Sequence, residues 1–200
     1  MFGDPQNNIF NFKIANLKDI SVGNLSYGAT ASAVDFDGQT RYVRITDITD
    51  QGGLNDDVKS AATVHEKYLL SDGDILFART GATVGKTCRY RSCYGKAIYA
   101  GFLIRLIPNT NIVLPDYVFY FTKSDYYNKF VADTQRVVAQ PNINAQEYGK
   151  LKILLPPIEK QKQFEIIVNQ SDKSKYYIQM GKKRIDKEKN RCLMKTILNN

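Results

Sequence analysis

Pro156 and Pro157 divide the chain into two parts that follow different patterns. Proline has no N–H for a sheet ladder, and its fixed φ suits the first turn of a helix. The pair therefore ends a strand read over Lys150 to Leu155 and opens a helix. From Ile158 to about Leu198 only Gly181 interrupts a helical pattern. Such a helix is roughly 60 Å long, more than the preceding residues need for a core of their own, so it has to pack on something else. Phe164, Ile178, Ile185 and Cys192 share one heptad stripe, with Ser171 in the gap. On the paired stripe Val168 is followed by Lys175, Lys182 and Lys189. A self-sufficient coiled coil wants both stripes apolar, so this one is weak and calls for lysine stems and a partner; Gly181 weakens it by about 1 kcal/mol more.

Residues 1–156 read as an α+β domain built on a mixed β-sheet. Its centre is a turn at Asp72-Gly73-Asp74, a buried-strand run at Ile75-Leu76-Phe77, a tight turn allowed by Gly81 and Gly85, and a second strand over Thr83 to Tyr90. Phe10 to Ile14 predicts an opening strand, Leu17 to Ile20 a helical turn, and Gly23 to Gly38 a loop. Arg41 to Ile48 predicts a strand and turn, Val58 to Leu70 an irregular or helical connection, and Tyr99 to Ile107 an apolar strand central in the sheet. Pro115-Asp116 opens a helix and Ser124-Asp125 a second one. Tyr117, Tyr120, Phe121, Tyr127 and Phe130 fall at core spacing on these two. A short helix over Ala145 to Tyr148 completes the domain, with Asn144 either capping it or facing a ligand.

With 43% hydrophobic and 24% charged residues, the chain is of globular type. No apolar run approaches membrane-spanning length and the N-terminus has no signal-peptide pattern, so a cytoplasmic protein that does not engage a membrane is expected. The net charge of +8 is uneven: eleven of the 28 basic and five of the 20 acidic residues follow residue 157, which puts +6 there and +2 before it. The domain itself has to bind any polyanion through a local patch. Cys88, Cys93 and Cys192, with His65 the only histidine, make no zinc set. Free thiols are expected, although Cys88 and Cys93 could face each other across a hairpin around Arg91-Ser92.

Catalytic chemistry finds little to stand on. Gly81-Ala-Thr-Val-Gly85-Lys86-Thr87 looks like a phosphate-wrapping nucleotide loop but has three residues where that motif needs four, and strand-like alternation follows where a helix should begin. Leu154-Leu155-Pro-Pro-Ile158 lacks the Asn or Asp that an adenine methyltransferase places before its proline pair, and a lone histidine supports no triad or hydrolytic zinc site. A non-catalytic chain without cofactor or metal is expected; a nucleotide-binding enzyme and a basic-helix protein-interaction scaffold are the rival readings.

Donors suited to phosphate or base edges cluster in four places. Arg79, Thr80, Thr83 and Lys86 lie at the central turn. Arg41 and Arg44 either contact phosphate or, for Arg44, pair with Asp47 or Asp50. Arg89, Arg91 and Lys96 interleave with Tyr90 and Tyr94, a mix suited to following a nucleic-acid backbone. Arg136, Gln140, Asn142 and Asn144 form a polar run in which Gln and Asn suit adenine.

Four stretches taken together resemble the target-recognition domain of a type I restriction–modification specificity subunit: Arg41-Tyr-Val-Arg-Ile-Thr-Asp-Ile48, Gly73-Asp-Ile-Leu-Phe-Ala-Arg-Thr-Gly81 with Thr83-Val-Gly-Lys86, Gln140-Pro-Asn-Ile143, and Leu154-Leu-Pro-Pro-Ile-Glu-Lys-Gln161. They follow the family's order over most of the chain, after a Met1-Phe-Gly-Asp-Pro5 start similar to the opening of such a domain. The resemblance implies a recognition domain at 1–156 and a long helix at 157–200 for dimerisation and methyltransferase docking. It also implies double-stranded DNA as ligand, and methyltransferase and restriction (translocase) subunits as partners. In the family two such domains, held apart by antiparallel helices, each read half of a bipartite site. The chain is then either a half-length subunit that pairs with itself or part of a longer one. Family members read different sequences, so base choice is expected in the loops at 23–40, 50–66, 88–96 and 134–142, the last of which runs into the Gln140–Ile143 stretch.

Overall fold

The computed structural model describes residues 2–135 and 142–171. Strand β1 (Lys13–Asn16) runs into the expected helical turn at Leu17–Ile20, whose two buried residues, Leu17 and Ile20, anchor it. The stretch read as a loop from Gly23 to Gly38 instead carries β2 (Ser26–Tyr27) and β3 (Ala33–Asp35). Both are too short for a periodic signal and are held by partners far along the chain. Strand β4 (Arg41–Val43) ends in a turn at Ile45–Asp47. The connection after it also hides a strand, β5 (Lys59–Ala61), the antiparallel partner of β3.

Strand β6 (Ile75–Ala78) has no exposed residue, which is what a continuous apolar run flanked by turn residues encodes. A turn at Gly81–Thr83 returns the chain into β7 (Thr87–Arg89), which begins later than the expected strand because Thr83 belongs to the turn. The apolar run from Tyr99 to Ile107 is two strands, β8 (Ala97–Tyr99) and β9 (Leu103–Leu106), broken by a turn. Strand β9 does lie inside the four-stranded antiparallel sheet, whose order is β2-β9-β6-β7. Strand β8 leaves that sheet to pair in parallel with β4. The segment from Cys88 to Lys96 is therefore no hairpin: β7 pairs back on β6, and a turn at Ser92–Tyr94 carries the chain to the other pair.

The helices form where proline and N-cap residues announce them: α1 (Pro115–Phe121), α2 (Asp125–Gln135) and α3 (Ala145–Lys150). Asn144 caps α3, its Oδ1 accepting from the Gln146 and Glu147 amides at 2.9 Å while Glu147 Oε2 accepts from the Asn144 amide at 2.7 Å. Strand β10 (Lys152–Leu155) pairs antiparallel with β1. Side chains alternate across β6. Leu76 and Ala78 join Val43, Cys88, Tyr99 and Leu103 in one cluster, while Phe77 turns to the helices and meets the rings of Tyr148 at 4.8 Å and Tyr127 at 6.5 Å.

The backbone is helical over 158–171, and the remainder of the long helix read from the pattern, with Gly181 and Cys192, lies outside the described residues. The chain divides into two compact units, Met1–Gln161 and Lys162–Asn200. Gln161 shows why the first helical turn belongs with the sheets: fully buried, its Nε2 donates to Pro156 O at 2.9 Å and Ile112 O at 3.1 Å, and its Oε1 accepts from the Leu114 amide at 2.8 Å. Among the described residues no helix is long and apolar enough to cross a membrane.

Candidate functional site

The turn between β6 and β7 is held from below by two tyrosines. Tyr148 Oη donates to Ala78 O at 3.0 Å and Tyr127 Oη donates to Gly85 O at 2.9 Å. The Gly85 amide returns to Ala78 O at 3.0 Å. Gly81 and Gly85 both have positive φ, 67° and 84°, where glycine alone is unstrained. The core role expected of Tyr127 is observed, and its hydroxyl adds a tether that the aromatic spacing did not reveal. No helix follows the turn, because β7 pairs back on β6. The nucleotide-loop reading therefore lacks the helix N-terminus it requires.

Arg79 leaves β6 at the mouth of this turn. Its backbone amide donates to Phe102 O at 3.1 Å and its carbonyl accepts from the Ile143 amide at 2.9 Å. Thr80 and Asn142 form a β-bridge, so the Gly73–Gly81 and Gln140–Ile143 stretches are neighbours in space. The Arg79 guanidinium lies 4.7 Å from the centroid of the Tyr27 ring, and its Nε donates to Asn142 Oδ1 at 3.2 Å. Tyr27 is held in turn, its Oη accepting from the Ala145 amide at 3.0 Å. Stacking on one face and a bond at Nε leave the terminal NH2 groups of Arg79 without a partner among the described residues. That fork is free for bidentate recognition of a phosphate or a guanine edge. Thr83 Oγ1 closes the turn on Thr80 O at 3.2 Å, and Lys86 pairs with Asp50 at 2.7 Å.

Four of the other candidate cations, Arg41, Arg44, Arg89 and Arg91, are engaged inside the fold. Arg41 is 6% exposed and its Nη2 donates to Asn55 O at 2.7 Å. Arg44 binds the fully buried Asp47 at 2.6 Å and Asp57 at 2.9 Å, so the expected pairing with Asp47 is present. Its hydrogen bond to Asp47 holds the guanidinium above its usual pKa. Arg89 and Arg91 converge on Asp116, 2% exposed, at 2.9 and 3.3 Å. Lys96 is exposed. Arg136 and Gln140 lie outside the described residues. Cys88 is buried and Cys93 exposed, both free. Lys123 is an addition from the structure: one lysine among many carries no pattern that marks it.

The profile of the type I restriction modification DNA specificity domain family matches residues 11–185. Over 109 residues the chain is 35% identical to the putative type I restriction enzyme MjaX specificity subunit of Methanocaldococcus jannaschii, a match covering 53% of this chain and 26% of that protein. The fold is similar to the HsdS subunit of Thermoanaerobacter tengcongensis (TM-score 0.60, 15% identity, 82% of this chain and 44% of that one). It is also similar to the type I restriction–modification S subunit of M. genitalium (TM-score 0.60, 16% identity, 84% and 41%). A chain from a structure of type I R-M complex assembly and conformational transition gives a TM-score of 0.63 at 17% identity, over 82% of this chain and 42% of that one. The chain thus spans less than half the length of each of these relatives.

Proposed function

The chain belongs to the type I restriction modification DNA specificity domain family, and from that premise we propose that it binds double-stranded DNA sequence-specifically, with the Arg79 turn as its central contact. The observation that carries this is the way Arg79 is built: stacked on Tyr27 and fixed at Nε by Asn142, it presents a preorganised fork where two of the family stretches meet. Lys86 follows on the same turn, and Thr80 and Asn142 border it. The guanidinium groups of Arg41, Arg44, Arg89 and Arg91 are engaged by carboxylates and carbonyls of the fold, and these residues serve as framework.

In this reading the chain reads one half of a bipartite target and carries out no catalysis itself. Methyltransferase and restriction subunits supply the chemistry in the cytoplasm, and the helix that starts after Pro157 is the docking and self-association element. The family membership and the Arg79 fork, unpaired among the described residues, support this over a nucleotide-binding enzyme or a basic-helix scaffold. The test is a titration of mixed-sequence duplex DNA between 50 and 200 mM salt, expected to give a linear fall of log K with log salt. Arg79→Ala and Lys86→Ala should each reduce the slope by about 0.9 for every phosphate no longer neutralised, at unchanged melting temperature. An unchanged slope with a lowered melting temperature would make both residues structural.

A further inference from the structure

On the far side of the same turn a cavity of about 440 Å³ opens between the Asp50 turn, Val84 to Lys86 and the junction of α1 with α2. Its polar lining includes Asp50, Lys86, Thr122, Lys123 and Asn128. The two cations are held differently. Lys86 Nζ lies 2.7 Å from Asp50 Oδ1, a carboxylate that is 82% exposed. Lys123 has no carboxylate at ion-pair distance among the described residues. Its Nζ donates to Thr87 Oγ1 at 3.3 Å and lies 4.8 Å from the Phe119 ring centroid. Thr87 is buried, and its hydroxyl is shared with Thr122 at 2.6 Å.

We propose that this cavity takes one phosphate of a bound duplex, with Lys86 and Lys123 as its ligands and Asp50 as the charge that the phosphate displaces. The proposal rests on the DNA-binding reading above. Lysine is a compact point charge on a rotatable stem and suits a phosphate oxygen rather than the edge of a base. Two such charges face one space, and among the described residues only Lys86 has a carboxylate partner. The neutralising pair is exposed and so held loosely, which lets an anion take the place of Asp50. Val84 to Lys86 border the cavity while Arg79 and Thr80 form the other end of the turn, so a phosphate here and the Arg79 contact would be carried by one turn.

The experiment uses the full chain and a mixed-sequence duplex, read by anisotropy across salt, with Lys123→Met, Lys123→Arg, Asp50→Asn and Arg79→Ala. Lys123→Met keeps the apolar stem on Phe119, and its melting temperature should not fall. Its salt slope should drop by about 0.9, and Lys123→Arg should restore it. Asp50→Asn should tighten binding about twofold to fivefold at low salt. If Lys123→Met binds as the parent does while Arg79→Ala weakens binding, the cavity proposal is overturned and the DNA-binding reading stands. No binding by the parent chain at any salt overturns both. A third arm follows the lysine side-chain NMR signals in inorganic phosphate at constant ionic strength. A Lys123 shift there, with duplex binding unaffected in Lys123→Met, makes the cavity a free-anion site and also overturns the proposal.

Discussion

Arg79 and Arg41 look alike along the chain, each an arginine beside an apolar strand, and the fold gives them opposite surroundings. Arg41 spends its Nη2 on the Asn55 carbonyl at 2.7 Å and is 6% exposed. Arg41→Ala should therefore lower the melting temperature by removing a buried side chain and leaving a partly buried acceptor unpaired, at a cost of about 1–3 kcal/mol, without changing the salt slope of DNA binding. Tyr27 does the reverse, since it is 41% exposed and supports Arg79 from one face. Tyr27→Leu should weaken duplex binding by roughly fivefold, from a cation–π contact of about 1 kcal/mol, whereas Tyr27→Phe should keep most of it; equal binding by all three chains would show that the ring does not position Arg79. Burial pushes the Cys88 thiol up to about 12, and Cys93 is exposed. Peptide mapping after alkylation of the native protein near pH 8 should find Cys93 modified and Cys88 protected; the order would reverse only if the sheet core opens.

At the scale of elements, the hairpin of β6 and β7 works as a unit with α2. Gly85 has φ of 84°, and a Cβ there would lie 2.7 Å from Val131 Cγ1. Gly85→Ala should therefore destabilise the fold by about 1–3 kcal/mol through backbone strain and displacement of α2, and DNA affinity should fall with it. The start of the C-terminal helix depends on a single side chain. Gln161→Leu removes three hydrogen bonds to main-chain groups, that to Pro156 O buried and the other two partly buried, which should cost about 1–3 kcal/mol for a buried group left unsatisfied. A thermal melt unchanged by that substitution would mean that water replaces the amide there. Pro156-Pro157 was readable as the end of a strand because proline chemistry is local, whereas the fastening by Gln161 joins residues 47 and 49 positions apart and no neighbour along the chain announces it.

At the scale of the whole molecule, framework and reader should be separable. Exchanging the loops at 23–40, 50–66, 88–96 and 134–142 for those of a relative, while keeping Gly73–Lys86 and the C-terminal helix, should change the methylated half-site in a host carrying the complete system. Methylome sequencing reads the outcome, and retention of the original half-site would place base choice in the framework. What local chemistry encodes was legible beforehand: β6 from its apolar run, α1 from Pro115, the tight turn from Gly81 and Gly85; for Asn144 the cap was one of two readings. Each depends on a few adjacent residues whose backbone preferences act before the chain has folded. The strands β2, β3 and β5 were not legible, because two or three residues carry no period and their stability comes from partners such as Arg105 and Ala61. The site was half legible for the same reason. Its donors stand in a recognisable motif, but Arg79 meets Asn142 across 63 positions, and Lys123 enters the cavity only when α1 packs on β7. Which cation is spent on a buried carboxylate and which keeps a free fork is a matter of long-range geometry, and only the packed chain decides it.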